Sequence, residues 1–328
     1  MILFSIGFYR EIEIEKLYFQ HEYQKLIPLA LQIVEEEPVN REIQYMLGHS
    51  LVEVGETERA IPYLKQLTLE KDENTLRQTW ALAYLGGCLF LQDDPQAIKY
   101  FQRCFNLRNS NKAVFFVRQF GFDPYFLDWD IIESEHFIFH FPIESLVVAQ
   151  SDYIKKHEIA FAKINNYFGT SLPRKIHYFV WNSCEDAVQV LGYSLGFANP
   201  RFSLVHVYYQ QSIGHEMTHL ITYYYRQPIC RVGLINEGLA VYFDQSGENK
   251  LKLAKKLRPN KISIRKYWLN WQTNKFSYAM AGAFVEFLLK KEGQENMLAL
   301  VVDQSYGNAL KIYGAKLERL ISEFERDE

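Results

Sequence analysis

The chain has 328 residues, 48% of them hydrophobic, enough apolar material for about two domains with a core each. Its net charge of −3 makes no strong electrostatic case for nucleic acid or an anionic membrane, and no run reaches the ~18 apolar residues of a membrane span. Cys88, Cys104, Cys184 and Cys230 are too scattered for a disulfide framework or a CxxC site, so a reducing compartment is expected, with the first two in the core.

The apolar start, Met1 to Phe8, carries neither a basic leading segment nor a small-residue cleavage site. It is expected to open the fold as a first helix or strand edge, and the protein to be cytoplasmic. From residue 10 to about 110 the pattern is one of paired helices. Leu47-Gly48 precedes Ala60, Tyr63 and Leu64; Leu85-Gly86 precedes Ala97, Tyr100 and Phe101. Val54-Gly55-Glu56 and Gln92-Asp93-Asp94-Pro95 break each pair, and a weaker copy from Tyr23 to Pro38 keeps Ala30. Small residues allow two helices to touch, and a large one fills the gap beside them. This resembles the tetratricopeptide repeat, with a period longer than its usual ~34 residues. The resemblance implies a concave surface for a protein partner or peptide, or else a support for the domain that follows.

Phe115 to Trp129, with Gly121 and Asp123-Pro124, reads as an inter-domain link. The period then changes. His136 to Phe141 alternates and ends at Pro142, a strand whose two histidines are expected on one face as ordinary strand residues. Residues 144–168 form a long amphipathic helix stopped by Gly169, Lys175 to Trp181 a second strand, and Ser183 to Gly192 a helix capped by Ser183 and Asp186. Gly196 to Pro200 is a turn, and Ser203 to Tyr209 a third strand. The pairs and triplets of tyrosine at Tyr208-Tyr209 and Tyr223-Tyr224-Tyr225 are expected mainly in the core.

Directly after that third strand comes His215-Glu216-Met217-Thr218-His219, an HExxH pattern. Ile213, Met217, Leu220, Ile221 and Tyr224 form an apolar stripe, leaving His215 and His219 one turn apart on the opposite side. Two imidazoles so placed can hold one zinc ion, and Glu216 beside them can take a proton from the water that zinc activates. Asn236-Glu237-Gly238-Leu239-Ala240 reads as the start of a second helix with Asn236 as its cap. Glu237 there can reach the same ion as a third ligand, leaving a fourth position for water. Beyond a mixed, basic stretch over 250–275, Ser277 to Lys290 reads as a helix, and 294–326 as terminal helices.

HEMTH followed by NEGLA resembles the gluzincin zinc metallopeptidases, and more narrowly the peptidase MA-like domains found beside tetratricopeptide repeats. The resemblance implies an all-α helical-repeat domain over 1–128 followed by an α+β thermolysin-like zincin domain over 129–328. It implies one Zn2+ per chain on His215, His219 and Glu237, and hydrolysis of a peptide or protein substrate with Glu216 as general base. It also suggests a tyrosine facing the metal, for which Tyr278 is the candidate, and an edge strand above the cleft to which an extended substrate can add. Asn236 and Asp244 are candidates to orient the imidazoles, although Asp244 reads more readily as an exposed helix carboxylate. Two competing functions fit the same residues: a non-enzymatic repeat-based interaction protein with a zinc-binding scaffold domain, and a zinc amidohydrolase acting on a non-peptide amide.

Overall fold

The computed structural model describes residues 2–69, 74–107, 109–257 and 263–327, and for residues 2–9 and 327 the backbone alone. Seven helices come first: α1 (Ile2–Phe19), α2 (Tyr23–Glu36), α3 (Arg41–Glu53), α4 (Thr57–Leu69), α5 (Thr75–Leu91), α6 (Gln96–Leu107) and α7 (Asn111–Arg118). The sheet region follows with β1 (Trp129–Glu133), β2 (Phe137–Pro142), α8 (Gln150–Phe168), β3 (Ile176–Trp181), α9 (Cys184–Leu191), β4 (Phe197–Asn199) and β5 (Leu204–Tyr208). Helices close the chain: α10 (His215–Tyr225), α11 (Gly233–Phe243), α12 (Lys250–Leu257), α13 (Ile264–Leu269), α14 (Lys275–Val302), α15 (Tyr306–Tyr313) and α16 (Lys316–Asp327). Of the apolar N-terminal stretch, Met1 lies outside the described residues and the rest opens α1; in the basic stretch, residues 258–262 lie outside them. No described helix is long and apolar enough to cross a membrane.

The chain divides into two compact units. The first comprises the chain up to Leu127 together with Glu185–Ser194. Among the described residues it is helical with no strand, as expected, and α1 to α7 pack each on the next. The reason lies in two glycines. A Cβ on Gly48 would stand 2.8 Å from Leu64 Cδ2, and one on Gly86 would stand 2.5 Å from Phe101 Cδ1, so both helix pairs close because the glycine leaves room for the larger side chain. The turns come where expected, at Gly55 (φ 84°) and Asp93 (φ 53°). Cys88 and Cys104 are buried in this unit. Most of the expected link is ordered structure: it holds the end of α7 and a 3-10 turn at Pro124–Phe126.

Residues 185–194 belong to this helical unit although the sequence pattern runs the second domain unbroken from 129. Arg118 is the tie: its Nε donates to Asp123 at 2.7 Å and its Nη1 to the Val190 carbonyl at 3.0 Å. Tyr125 donates to Asp186 at 3.3 Å. Gly192, at φ 71°, lets the Phe115 ring approach where a Cβ would stand 2.4 Å from it.

The second unit is built on a mixed five-stranded sheet in the order β1-β2-β3-β5-β4. β2, β3 and β5 are parallel, and β1 and β4 add antiparallel at the two edges. Alternation puts Phe137, Phe139, Phe141, Tyr178, Val180, Val205 and Val207 on the face that shares a core with α8, α10, α11 and α14. The three expected strands are present; β4 falls in the expected turn, and β1, of which only Trp129 lay in the expected link, was not anticipated as a strand. The expected long helix begins only at Gln150 and ends at Gly169, φ 62°. His136 and His140 do not share a face. His136 precedes β2, stacks on Phe161 at 4.2 Å and pairs with Glu158 at 2.7 Å, whereas His140 stacks on Phe179 at 4.0 Å.

Candidate metal centre

The HExxH helix starts one residue before its glutamate. Gly214, at φ 107°, is the residue before α10, and His215 is the first helical position. The left-handed backbone at Gly214 also allows the end of α11 to approach, since a Cβ there would stand 2.6 Å from the Phe243 carbonyl oxygen. Met217, Leu220 and Ile221 are fully buried in the core, which turns His215 and His219 outward from it, each only about 15% exposed at the side chain.

Glu237 lies in the second turn of α11, since that helix begins at Gly233 with Val232 before it. Asn236 is therefore not the helix cap expected from the sequence. The depth of Glu237 in the helix follows from close packing. A Cβ on Gly238 would stand 2.8 Å from the Ala281 carbonyl oxygen, and one on Gly282 would stand 2.4 Å from Val241 Cγ1, so α11 and α14 meet through two glycines. That contact holds the first turn of α14 near the imidazoles, itself secured by a capping box between Asn274 and Ser277.

The three expected ligands come together. One atom from each of His215, His219 and Glu237 lies within 4.8 Å of the other two, the sole such group among the described residues. Glu237 Oε2 is 3.3 Å from His215 Nε2 and 3.4 Å from His219 Nε2. Burial would raise the Glu237 carboxyl, but hydrogen bonds from both imidazoles and their charge hold it well below the usual carboxylate range. Burial would lower the His219 imidazole; Glu237, then Glu216, outweigh it and raise it, with Arg231 opposing. Two Nε2 atoms and one carboxylate oxygen around a common point are a donor set suited to a divalent ion of the zinc type.

Glu216 is buried, 4% exposed, and stands apart from that group, its Oε1 4.0 Å from His215 Nε2. Its Oε1 accepts a hydrogen bond from Gln211 Nε2 at 3.0 Å. Gln211 was not anticipated from the sequence. Its place is fixed by its own N–H on the Tyr208 carbonyl at 2.8 Å, and by Gly196, where a Cβ would stand 2.8 Å from the Gln211 amide nitrogen. The signal for it in the sequence is faint: a polar residue in the short turn between strand and HExxH helix, one among several.

Asn236 Nδ2 lies 3.2 Å from both His219 Nδ1 and Glu237 Oε1, so it bridges two members of the group. Asp244 does not orient an imidazole, and it is not an exposed helix carboxylate either. It follows the last residue of α11, is 8% exposed at the side chain, and pairs with Lys250 at 2.9 Å. The Tyr278 ring is 6.0 Å from the His215 ring and edge-on to Trp271 at 6.0 Å. Burial, then the charges of Glu237 and Glu216, push its hydroxyl up to about 12, so it remains a proton donor at neutral pH. Trp271 in turn covers Gly233 at the start of α11, where a Cβ would stand 2.2 Å from its ring.

The site thus has the composition of a single-ion centre: three converging ligands, a separate buried carboxylate and a neutral phenol. No protein-family model matches the chain, and no curated protein matches it.

Proposed function

We propose that the second unit is a zinc-dependent metallopeptidase of the gluzincin type, with a thermolysin-like catalytic fold. The observation that carries this reading is the convergence of His215, His219 and Glu237 within 4.8 Å, with Glu216 beside them but outside the group. A bound zinc ion supplies a Lewis acid that polarises a carbonyl and lowers the pKa of water. His215 and His219 would hold it through Nε2 and Glu237 through a carboxylate oxygen. Glu216, with one oxygen anchored by Gln211, takes the proton of the attacking water and passes it to the leaving amine. Tyr278 donates its hydroxyl proton as a hydrogen bond to the oxygen on which negative charge develops. An imidazole that held the ion through Nε2 would carry its proton on Nδ1, the nitrogen that in His219 faces the Asn236 amide.

The helical unit is the tetratricopeptide-like part of the proposal. Gly48 against Leu64 and Gly86 against Phe101 are the packing that such repeats need. Its role would be to hold a protein partner or to support the peptidase. The test is product identification by mass spectrometry after incubation with a mixture of denatured proteins, with and without a chelator. New peptide termini that vanish with the chelator support the reading. A protein that carries zinc and leaves the mixture intact is the non-enzymatic scaffold instead.

A further inference from the structure

Arg231 sits in the connection between the two metal-bearing helices, α10 and α11. The backbone around it is held on both sides. Ile229 N–H donates to the Val302 carbonyl at 2.9 Å, Gln304 N–H to the Cys230 carbonyl at 3.0 Å, and Val232 N–H to the Gln304 side chain at 2.8 Å. Gln304 is itself fully buried. The Arg231 guanidinium lies over the Tyr223 ring, 5.6 Å from its centroid. Tyr223 continues the His215 and His219 spacing by one further helical turn, so the guanidinium stands one turn past His219 along α10. Arg231 is exposed and makes no ion pair and no hydrogen bond among the described residues, and its charge is felt at the His219 imidazole.

A guanidinium stacked on an aromatic ring keeps its fork of N–H donors free at the edge, the geometry that takes a carboxylate through two parallel hydrogen bonds. The side chain is exposed, so that edge is open to a ligand. Neither feature assists the hydrolytic step, which the acidic and imidazole groups supply. We propose that Arg231 is a substrate-binding residue that recognises a carboxylate of the peptide, either its C-terminal group or an acidic side chain near the bond cut. This deepens the peptidase reading and rests on it, and it predicts a substrate class: acidic or C-terminal segments over neutral internal ones.

The test uses zinc-loaded full-length Glu216→Gln protein, so that binding is read without turnover, and short N-terminally blocked peptides by calorimetry. One arm compares a free C-terminal acid with its amide. The other compares amidated peptides containing Asp or Glu with the same peptides containing Asn or Gln. In at least one arm the carboxylate form is expected to bind about tenfold tighter, the worth of one good charge-assisted pair. Arg231→Gln in the same background is expected to bring that ratio close to one, and Arg231→Lys to keep part of it. Zinc content and melting temperature, both unchanged, show that the variants are folded. Equal binding of acid and neutral forms in both arms, or a preference that survives Arg231→Gln, overturns the inference. So does a preference for phosphate over carboxylate in a phosphopeptide control. Failure of the starting protein to hold zinc is instead a failure of the metal-centre reading.

Discussion

At the scale of single residues, the carboxylates of Glu216 and Glu237 lie close together but have different surroundings. Glu237 faces two imidazoles, and Glu216 faces an amide. The expected roles follow: one carboxylate binds an ion and the other moves a proton. Glu216→Gln is expected to retain zinc while hydrolysis falls on the order of 100- to 10,000-fold, the usual worth of a general base. Gln211→Met removes only the hydrogen bond to Glu216 while keeping similar bulk. Peptide turnover should drop roughly tenfold in kcat with KM and zinc content unchanged, the cost of losing one hydrogen bond to a charged group. A rise in KM alone, or loss of zinc, would show that Gln211 shapes the cleft and does not orient the base.

At the scale of elements, the site depends on where three helices touch. Gly214 sets the approach of α11 to the start of α10, and Gly238 and Gly282 set that of α11 to α14. Gly238→Ala places a methyl group 2.8 Å from a backbone oxygen that cannot rotate away. It is expected to cost about 1–3 kcal/mol in urea unfolding and to weaken zinc binding, because Glu237 is the preceding residue. If stability falls and zinc affinity does not, the α11–α14 contact is structural and leaves the ligand alone.

The placing of His215 and His219 on one face was legible in the sequence because HExxH is a local pattern: positions four apart lie one turn above each other on any helix. The central strands were legible for a similar reason, since Phe137, Phe139 and Phe141 alternate over one buried face. The edges were not. β1 exposes Ile131, and β4 is only three residues long with no buried residue, so neither shows an alternating buried face, and each is a strand through its pairing with the next strand in the chain. The start of α11 was misplaced because Asn236 has the composition of a cap, while its side chain is occupied with His219 and Glu237. Gln211 meets Glu216, and Arg231 meets Tyr223, across short turns, and no spacing rule points to either contact.

At the scale of the whole molecule, acidification should act on the second unit through its shielded histidines. Burial pushes His140 and His157 down to about 4, and burial, then His140 and Arg174, push His177 down to about 3. These groups stay neutral in the fold while the unfolded chain protonates below about 6.5. The unfolded state then binds more protons, so stability falls as pH drops from about 6.5 towards 4. Each histidine adds up to about 1.4 kcal/mol per pH unit across that window. Urea midpoints of the second unit between pH 7.5 and 4.5 check this; His157→Phe should flatten the slope by about a third, even though it also removes a buried hydrogen bond to Tyr178. A pH-independent midpoint would mean that the three rings have water or a charge beside them.

The central claim is that three side chains from two helices grip one ion and a fourth group works on the water next to it. Metal content by mass spectrometry, measured together with chelator-sensitive peptide hydrolysis, tests it most directly. The wild-type chain and Glu216→Gln should each carry one zinc, with hydrolysis only in the former; His215→Ala, His219→Ala and Glu237→Ala should carry little or none. Zinc retained at full occupancy in the three alanine variants, or undiminished hydrolysis by metal-loaded Glu216→Gln, would contradict it.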